Sequence, residues 1–102
     1  MITNQEFQCL LEWLRARPHI YISKAYGSYG SHNSHELCGS YYLIKNDQSS
    51  ALFDNKLCFI IHIDNIIRIH RNPYHLSVKT LDNLDNPDSF NMILSTIREI
   101  LR

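Results

Sequence analysis

The chain has 102 residues, 44% of them hydrophobic and 20% charged, which suits one domain with one core, spanning 1–102, and excludes wholesale disorder. Ten Lys and Arg balance ten Asp and Glu. That balance argues against a dedicated nucleic-acid binder, which carries a basic excess, and against an acidic mimic of DNA.

The first element is a helix. Thr3-Asn4-Gln5-Glu6 has the form of a capping box, with Ile2 and Phe7 at the positions of a hydrophobic staple. Phe7, Leu10, Leu11 and Leu14 then fall on one stripe. Arg15 and Arg17 suit the negative end of the helix dipole, and Pro18 stops the helix. Trp13 lies at the edge of the stripe, where it is expected to seal the rim of the core.

The middle of the chain reads as strands. Ile20 to Ala25 and Ser40 to Lys45 are the first two, and 46–50 is rich in turn residues. Between them, Tyr26 to Gly39 is poor in apolar residues and holds all three glycines. A connection of that length suits a functional loop. Ala51 to Phe53 is a candidate short edge piece.

Leu57 to Arg71 is rich in isoleucine, alternates in polarity and breaks once at Asp64-Asn65, as a β-hairpin would. A two-residue Asp64-Asn65 loop groups Ile60, Ile67 and Ile69 with His62 and Arg71. A three-residue loop, Ile63 to Asn65, groups Phe59 and Ile61 with Ile67 and Ile69 and leaves His62, Arg68 and His70 on the other side. Shifting by one residue turns every side chain over, so the buried face decides register. The expectation adopted is the three-residue loop, because it separates apolar from polar most cleanly.

Leu76 to Thr80 is the last strand, after a turn at Pro73. A second helix follows, with Asp85 or Asn86 as cap, Pro87 at its first position and Asp88 in its first turn. Phe90, Ile93, Leu94, Ile97 and Leu101 share its inner face, with Ile100 on the flank and Arg98 and Arg102 near its C-terminus. The expected fold is α+β: a two-layer sandwich, with the N- and C-terminal helices packed on one face of a mostly antiparallel sheet of four to six strands.

Chemistry is harder to locate. His32, His35 and Cys38 form H-x2-H-x2-C, ligand types that zinc prefers, with Cys58 or another histidine as a conceivable fourth ligand. Structural zinc sites usually show two separated ligand pairs, and an unliganded polar loop matches as well, so no metal and no cofactor is assigned. No nucleophile elbow, phosphate-binding loop or dinucleotide fingerprint is present, so no catalytic residue is assigned and the chain is not read as an enzyme.

A face of Ile60, His62, Arg68, His70, His75, Ser77 and Lys79, joined by Tyr21, Ser23 and Tyr42, is instead expected opposite the helices. Tyrosine and arginine anchor interfaces, since each combines apolar area with directed hydrogen bonds. An exposed sheet face is polar and tyrosine-bearing in any case. Arg68, His70 and Tyr42 are the leading candidates for partner contacts, with His62 and Tyr29 behind them.

The function expected is a small cytoplasmic module, an inhibitor, immunity-type or adaptor protein, that acts by occupying a protein partner. The alternatives are RNA or single-stranded DNA binding through the same face, and a small metal- or cysteine-dependent enzyme. Six histidines would take the formal charge from 0 to +6 in mild acid, an effect that needs no evolved switch. Three cysteines, an odd number, and a start of MITNQEF without basic or long apolar character suggest reduced thiols and no signal peptide. No run is long and apolar enough for a membrane span. A pI near 7 leaves self-repulsion weak, so homo-oligomers through an edge strand or the open sheet face fit every reading.

Overall fold

The computed structural model describes residues 1–27, 39–47, 58–71, 77–85 and 87–102. The element order is α1 (Asn4–Arg15), β1 (Tyr21–Gly27), β2 (Gly39–Lys45), β3 (Cys58–Ile63), β4 (Ile66–His70), β5 (Ser77–Leu81) and α2 (Ser89–Leu101). The strands form one antiparallel meander in the order β1-β2-β3-β4-β5. The terminal helices lie together on one face of it, so the fold is α+β as the periodicities predict.

α1 begins as its sequence requires. The Glu6 backbone N–H donates to the Thr3 hydroxyl at 3.1 Å, and the Thr3 backbone N–H donates to the Glu6 carboxylate at 3.0 Å. Two otherwise orphaned donors at the helix start are thereby satisfied. Phe7, Leu10, Leu11 and Leu14 are buried along one stripe. α2 starts later than the sequence suggests. Its N-cap is Asp88, whose side chain makes no capping hydrogen bond, and Pro87 lies in the preceding turn rather than in the first helical position. Ile100 is buried with Ile93, Ile97 and Leu101, while Phe90 and Leu94 pack at the margin.

The central hairpin differs from expectation. Ile63 pairs with Ile66, His62 with Ile67, Ile61 with Arg68 and Ile60 with Ile69. The loop is therefore the two-residue Asp64-Asn65. Both residues have positive φ, 54° and 62°. This is the backbone of a two-residue turn whose twist matches the strands it joins, and Asp and Asn adopt it at less cost than other side chains. The shift puts Ile60, His62, Ile67 and Ile69 on the helix side. Tyr42, Ile44 and Cys58 join them from β2 and β3, and Leu81 from β5.

A three-residue loop presumes that one sheet face is polar, and the sheet does not meet that condition. The side away from the helices carries its own buried cluster of Tyr41, Leu43, Phe59 and Ile61, with the Tyr41 and Phe59 rings 5.6 Å apart. Apolar residues are buried on both sides of β2 and β3, so Tyr41 to Ile44 and Cys58 to Ile61 are each buried without interruption.

α1 is tied to the hairpin at its start. The Ile2 backbone N–H donates to the Asn65 carbonyl at 2.9 Å. His62 Nε2 lies 2.8 Å from the Ile2 carbonyl and donates to it, which sets the ring's tautomer. The His62 ring stacks on Phe7 with centroids 5.0 Å apart, and Phe7 meets Tyr42 edge-on at 5.6 Å. On β5 the pairing shifts between Ile69 and His70, a bulge that leaves Val78 49% exposed. Among the described residues, no helix is long and apolar enough to cross a membrane.

Two stability measurements check this account. Asn65→Gly should leave stability equal or raise it by up to about 1 kcal/mol, because glycine has no Cβ to strain at positive φ. Asn65→Val should lower it by about 1–2 kcal/mol. Equal urea midpoints for wild type and Asn65→Val would exclude the positive-φ turn. The Glu6 carboxyl is held below its ordinary value of 4.5 by the Thr3 backbone and hydroxyl hydrogen bonds. A depressed folded-state value means that its contribution is full above the unfolded value and fades as pH falls through the folded one. The stability advantage of wild type over Glu6→Ala should thus narrow between neutrality and about pH 2, and a constant gap would contradict the capping box.

Candidate partner-binding surface

The structure distributes the residues expected to make one contact face over two opposite sides of the sheet. Tyr42 and His62 lie beneath α1, Tyr42 buried and His62 half-buried, and both are occupied by Phe7. Ile60 is in the same layer, at the centre of the core. Arg68 and His70 are on the far side, opposite Ile61 and Phe59 respectively. Arg68 is half-buried, and His70 is 0% exposed, which withdraws it from any surface. Tyr29 and His75 lie outside the described residues, as do His32, His35 and Cys38 of the H-x2-H-x2-C cluster. Among the described residues no three His, Cys, Asp or Glu side chains converge on a point that would hold a metal ion.

The described cysteines differ sharply in setting. Cys9 is exposed. Cys58 sits in the core between the sheet and the helices, and burial pushes its thiol well up. A thiol kept protonated is a poor nucleophile and a poor metal ligand, so Cys58 is a packing residue.

The described structure instead gathers cations at one end. α1 finishes there and feeds β1 through a short link in which His19 adopts a positive φ of 60°. α2 finishes there too: Asn46, just after β2, donates from its side-chain amide to the Leu101 carbonyl at 3.3 Å. Near the two helix C-termini, dipole-complementing arginines line adjoining grooves, Arg15 in one and Arg98 and Arg102 in the other, with Ile20 common to both. Lys45, at the end of β2, lines the same groove as Arg15.

The cations are held in different ways. The Arg17 guanidinium lies 4.6 Å from the Trp13 ring centre and its Nε donates to the Trp13 carbonyl at 3.2 Å, which explains the half-buried tryptophan. Arg102 faces Glu99 at 3.5 Å, an exposed pair that contributes little.

Among the described residues, three shallow grooves open at this end. The largest, about 400 Å³, runs beside the start of β1 and is bounded by Arg15, Ile20, Tyr21, Ile22, Ser23 and Lys45. Ile20 is shared with a second groove of about 270 Å³ that reaches Arg98 and Arg102. The described walls of the largest groove combine the apolar Ile20 and Ile22 with the cations Arg15 and Lys45. Tyr21 is 36% exposed, and Ser23 and Lys24 are exposed along the same strand. The Lys24 ammonium lies 6.0 Å from the Tyr42 ring centre, at the outer limit of a cation–π contact.

Arg15, Arg98 and Arg102 are legible in the sequence as dipole partners, but their convergence depends on where both helices end. Tyr21 is named in the sequence as joining the expected contact face, but its place beside Arg15 and Lys45 depends on the fold. No protein-family model, curated protein or solved structure matches the chain.

The packing role of His62 has a direct consequence. His62→Ala removes a hydrogen bond and a ring stack, and should lower stability by about 1–3 kcal/mol in urea unfolding. A variant as stable as wild type would return His62 to the list of solvent-facing contact residues.

Proposed function

We propose that this chain is a small protein-binding module, of the inhibitor, immunity or adaptor kind, that acts by occupying a macromolecular partner. The observation that supports it is the basic, grooved end beside an outer strand of the sheet: Arg15 and Lys45 flank a groove walled by Ile20, Tyr21 and Ile22. A half-exposed tyrosine between cations gives a partner apolar area and directed polar groups together, as interface anchors do. The expected contacts therefore move from Tyr42, His62 and His70, which are packed, to Arg15, Tyr21 and Lys45. Arg68, half-buried on the far side, has no part in this surface.

Arg15, Lys45, Arg98 and Arg102, which line these grooves, favour a second reading, in which the occupant is RNA or single-stranded DNA held through phosphates. Its aromatic contribution among the described residues of the groove is Tyr21 alone. Single-strand binding surfaces stack successive bases on several rings, so the protein reading is preferred.

Site-specific photocrosslinking tests both. A crosslinking residue replaces Tyr21 in the full chain and, separately, Met92 on the solvent side of α2. Each variant is irradiated in lysate of the cells that make the protein. A discrete protein adduct from position 21 and none from position 92 is the expected result. A nuclease-sensitive adduct would transfer the proposal to nucleic acid, and identical adducts from both positions, or none, would reject this surface.

A further inference from the structure

The two helices run the same way. α1 starts beside the Asp64-Asn65 turn, where the Ile2 N–H meets the Asn65 carbonyl. α2 starts after β5 ends at Leu81, which pairs with Ile67, two residues past that turn. Both helices finish at the other end of the sheet. α1 feeds β1, whose Tyr21 pairs with Lys45, and Asn46 holds the Leu101 carbonyl of α2. Local rules then sort charge along the whole layer, because acids suit helix starts and cations suit helix ends. Glu6, Asp82 and Asp85 lie around the starts. Arg15, Arg17, Arg98 and Arg102 lie near the ends, offset in part by Glu12 and Glu99.

The seam between the helices is apolar at its centre. Trp13 meets Phe90 with ring centres 5.4 Å apart, and both are half-buried, as is Leu94. At the starting end the seam opens into a groove of about 280 Å³ bordered by Glu6, Leu84 and exposed Cys9. Steps of four residues lead from Cys9 through Trp13 to Arg17 on α1, and from Phe90 through Leu94 to Arg98 on α2. Each line passes from neutral to cationic.

We propose that this helix layer is a self-association face, closed by a second copy of the chain in an antiparallel, two-fold arrangement. A two-fold axis through the Trp13–Phe90 contact lays the acidic starts of each copy over the basic ends of the other, so the match is made twice. The helix dipoles of the two copies then oppose each other. Trp13, Phe90 and Leu94 of both copies meet in the middle, with charges around them, which is the composition of an interface. A formal net charge of 0 leaves long-range repulsion between copies weak. A ligand of uniform charge fits this face poorly, since its two ends differ in sign. Met92 is turned about 200° round α2 from Phe90 and stays outside the contact. The surface around Tyr21 belongs to the sheet, so the two proposals stand separately.

The test is sedimentation of the full chain over a concentration series at low ionic strength, which should show a monomer–dimer equilibrium. Asp82→Arg with Asp85→Arg turns the acidic end basic, and Arg98→Glu with Arg102→Glu turns the basic end acidic. Each double variant alone should dimerise roughly tenfold or more less tightly than wild type, because like charges then meet twice. An equal mixture of the two should recover a heterodimer near wild-type affinity. In wild type, alkylation of Cys9, followed by mass spectrometry, should slow as the dimer fills.

A wild type that stays monomeric at every concentration would overturn the proposal. Dimers that leave Cys9 labelling unchanged would overturn it as well, as would folded variants that dimerise like wild type or gain nothing on mixing. Should a variant fail to fold, Cys9 protection in wild type decides by itself.

Discussion

The Asp64-Asn65 turn governs the arrangement of everything else. Two consecutive residues at positive φ close the hairpin with no third loop residue. That even count sets the phase of β3 and β4, and through cross-strand pairing the phase of β2 and β5. One residue more would send Phe59 and Ile61 beneath the helices and Ile60 and His62 away from them. The turn also supplies the Asn65 carbonyl that receives the Ile2 backbone N–H, so it sets the entry of α1 as well as the register of the sheet.

With that phase in place, the sheet buries apolar side chains on both of its faces. Helix-side residues Ile44, Ile60, Ile67 and Ile69 meet the stripes of α1 and α2, and Leu43, Phe59, Ile61 and Tyr41 form a separate buried cluster behind them. His62 fits the inner layer because its one polar demand is met by the Ile2 carbonyl and its ring is covered by Phe7. Burying an imidazole edge is tolerable when its N–H is satisfied. His70, on the far side, is buried as well. Histidines that alternate with isoleucine here are parts of the packing.

The surface left for a partner follows from how the elements end. Arginines near helix C-termini are ordinary local chemistry, each offsetting the negative end of a dipole. They become a shared positive patch because both helices run toward the start of β1, where Asn46 holds the last turn of α2. Neutral net charge conceals this polarity: ten positive and ten negative groups sum to zero however they are arranged. Among the described strands β1 pairs with β2 alone, and its start lies beside the patch.

Much of the fold was legible because its signals are local. The capping box at Thr3 and Glu6, the stripe from Phe7 to Leu14, the stop at Pro18 and the break at Asp64-Asn65 each act over a few residues, and the elements formed within one or two residues of where they were read. The unbroken runs Tyr41 to Ile44 and Cys58 to Ile61 did carry the sign of a sheet covered on both faces, outweighed by the tidier polar alternation of Ile66 to Arg71. What the amino-acid sequence determined by itself was therefore which segments become helix or strand and where they start and stop. Tertiary structure alone decided which side of each strand is inside and which distant cations share a surface. Both depend on pairing and packing between segments far apart in the chain, and a period of two reads the same in either phase.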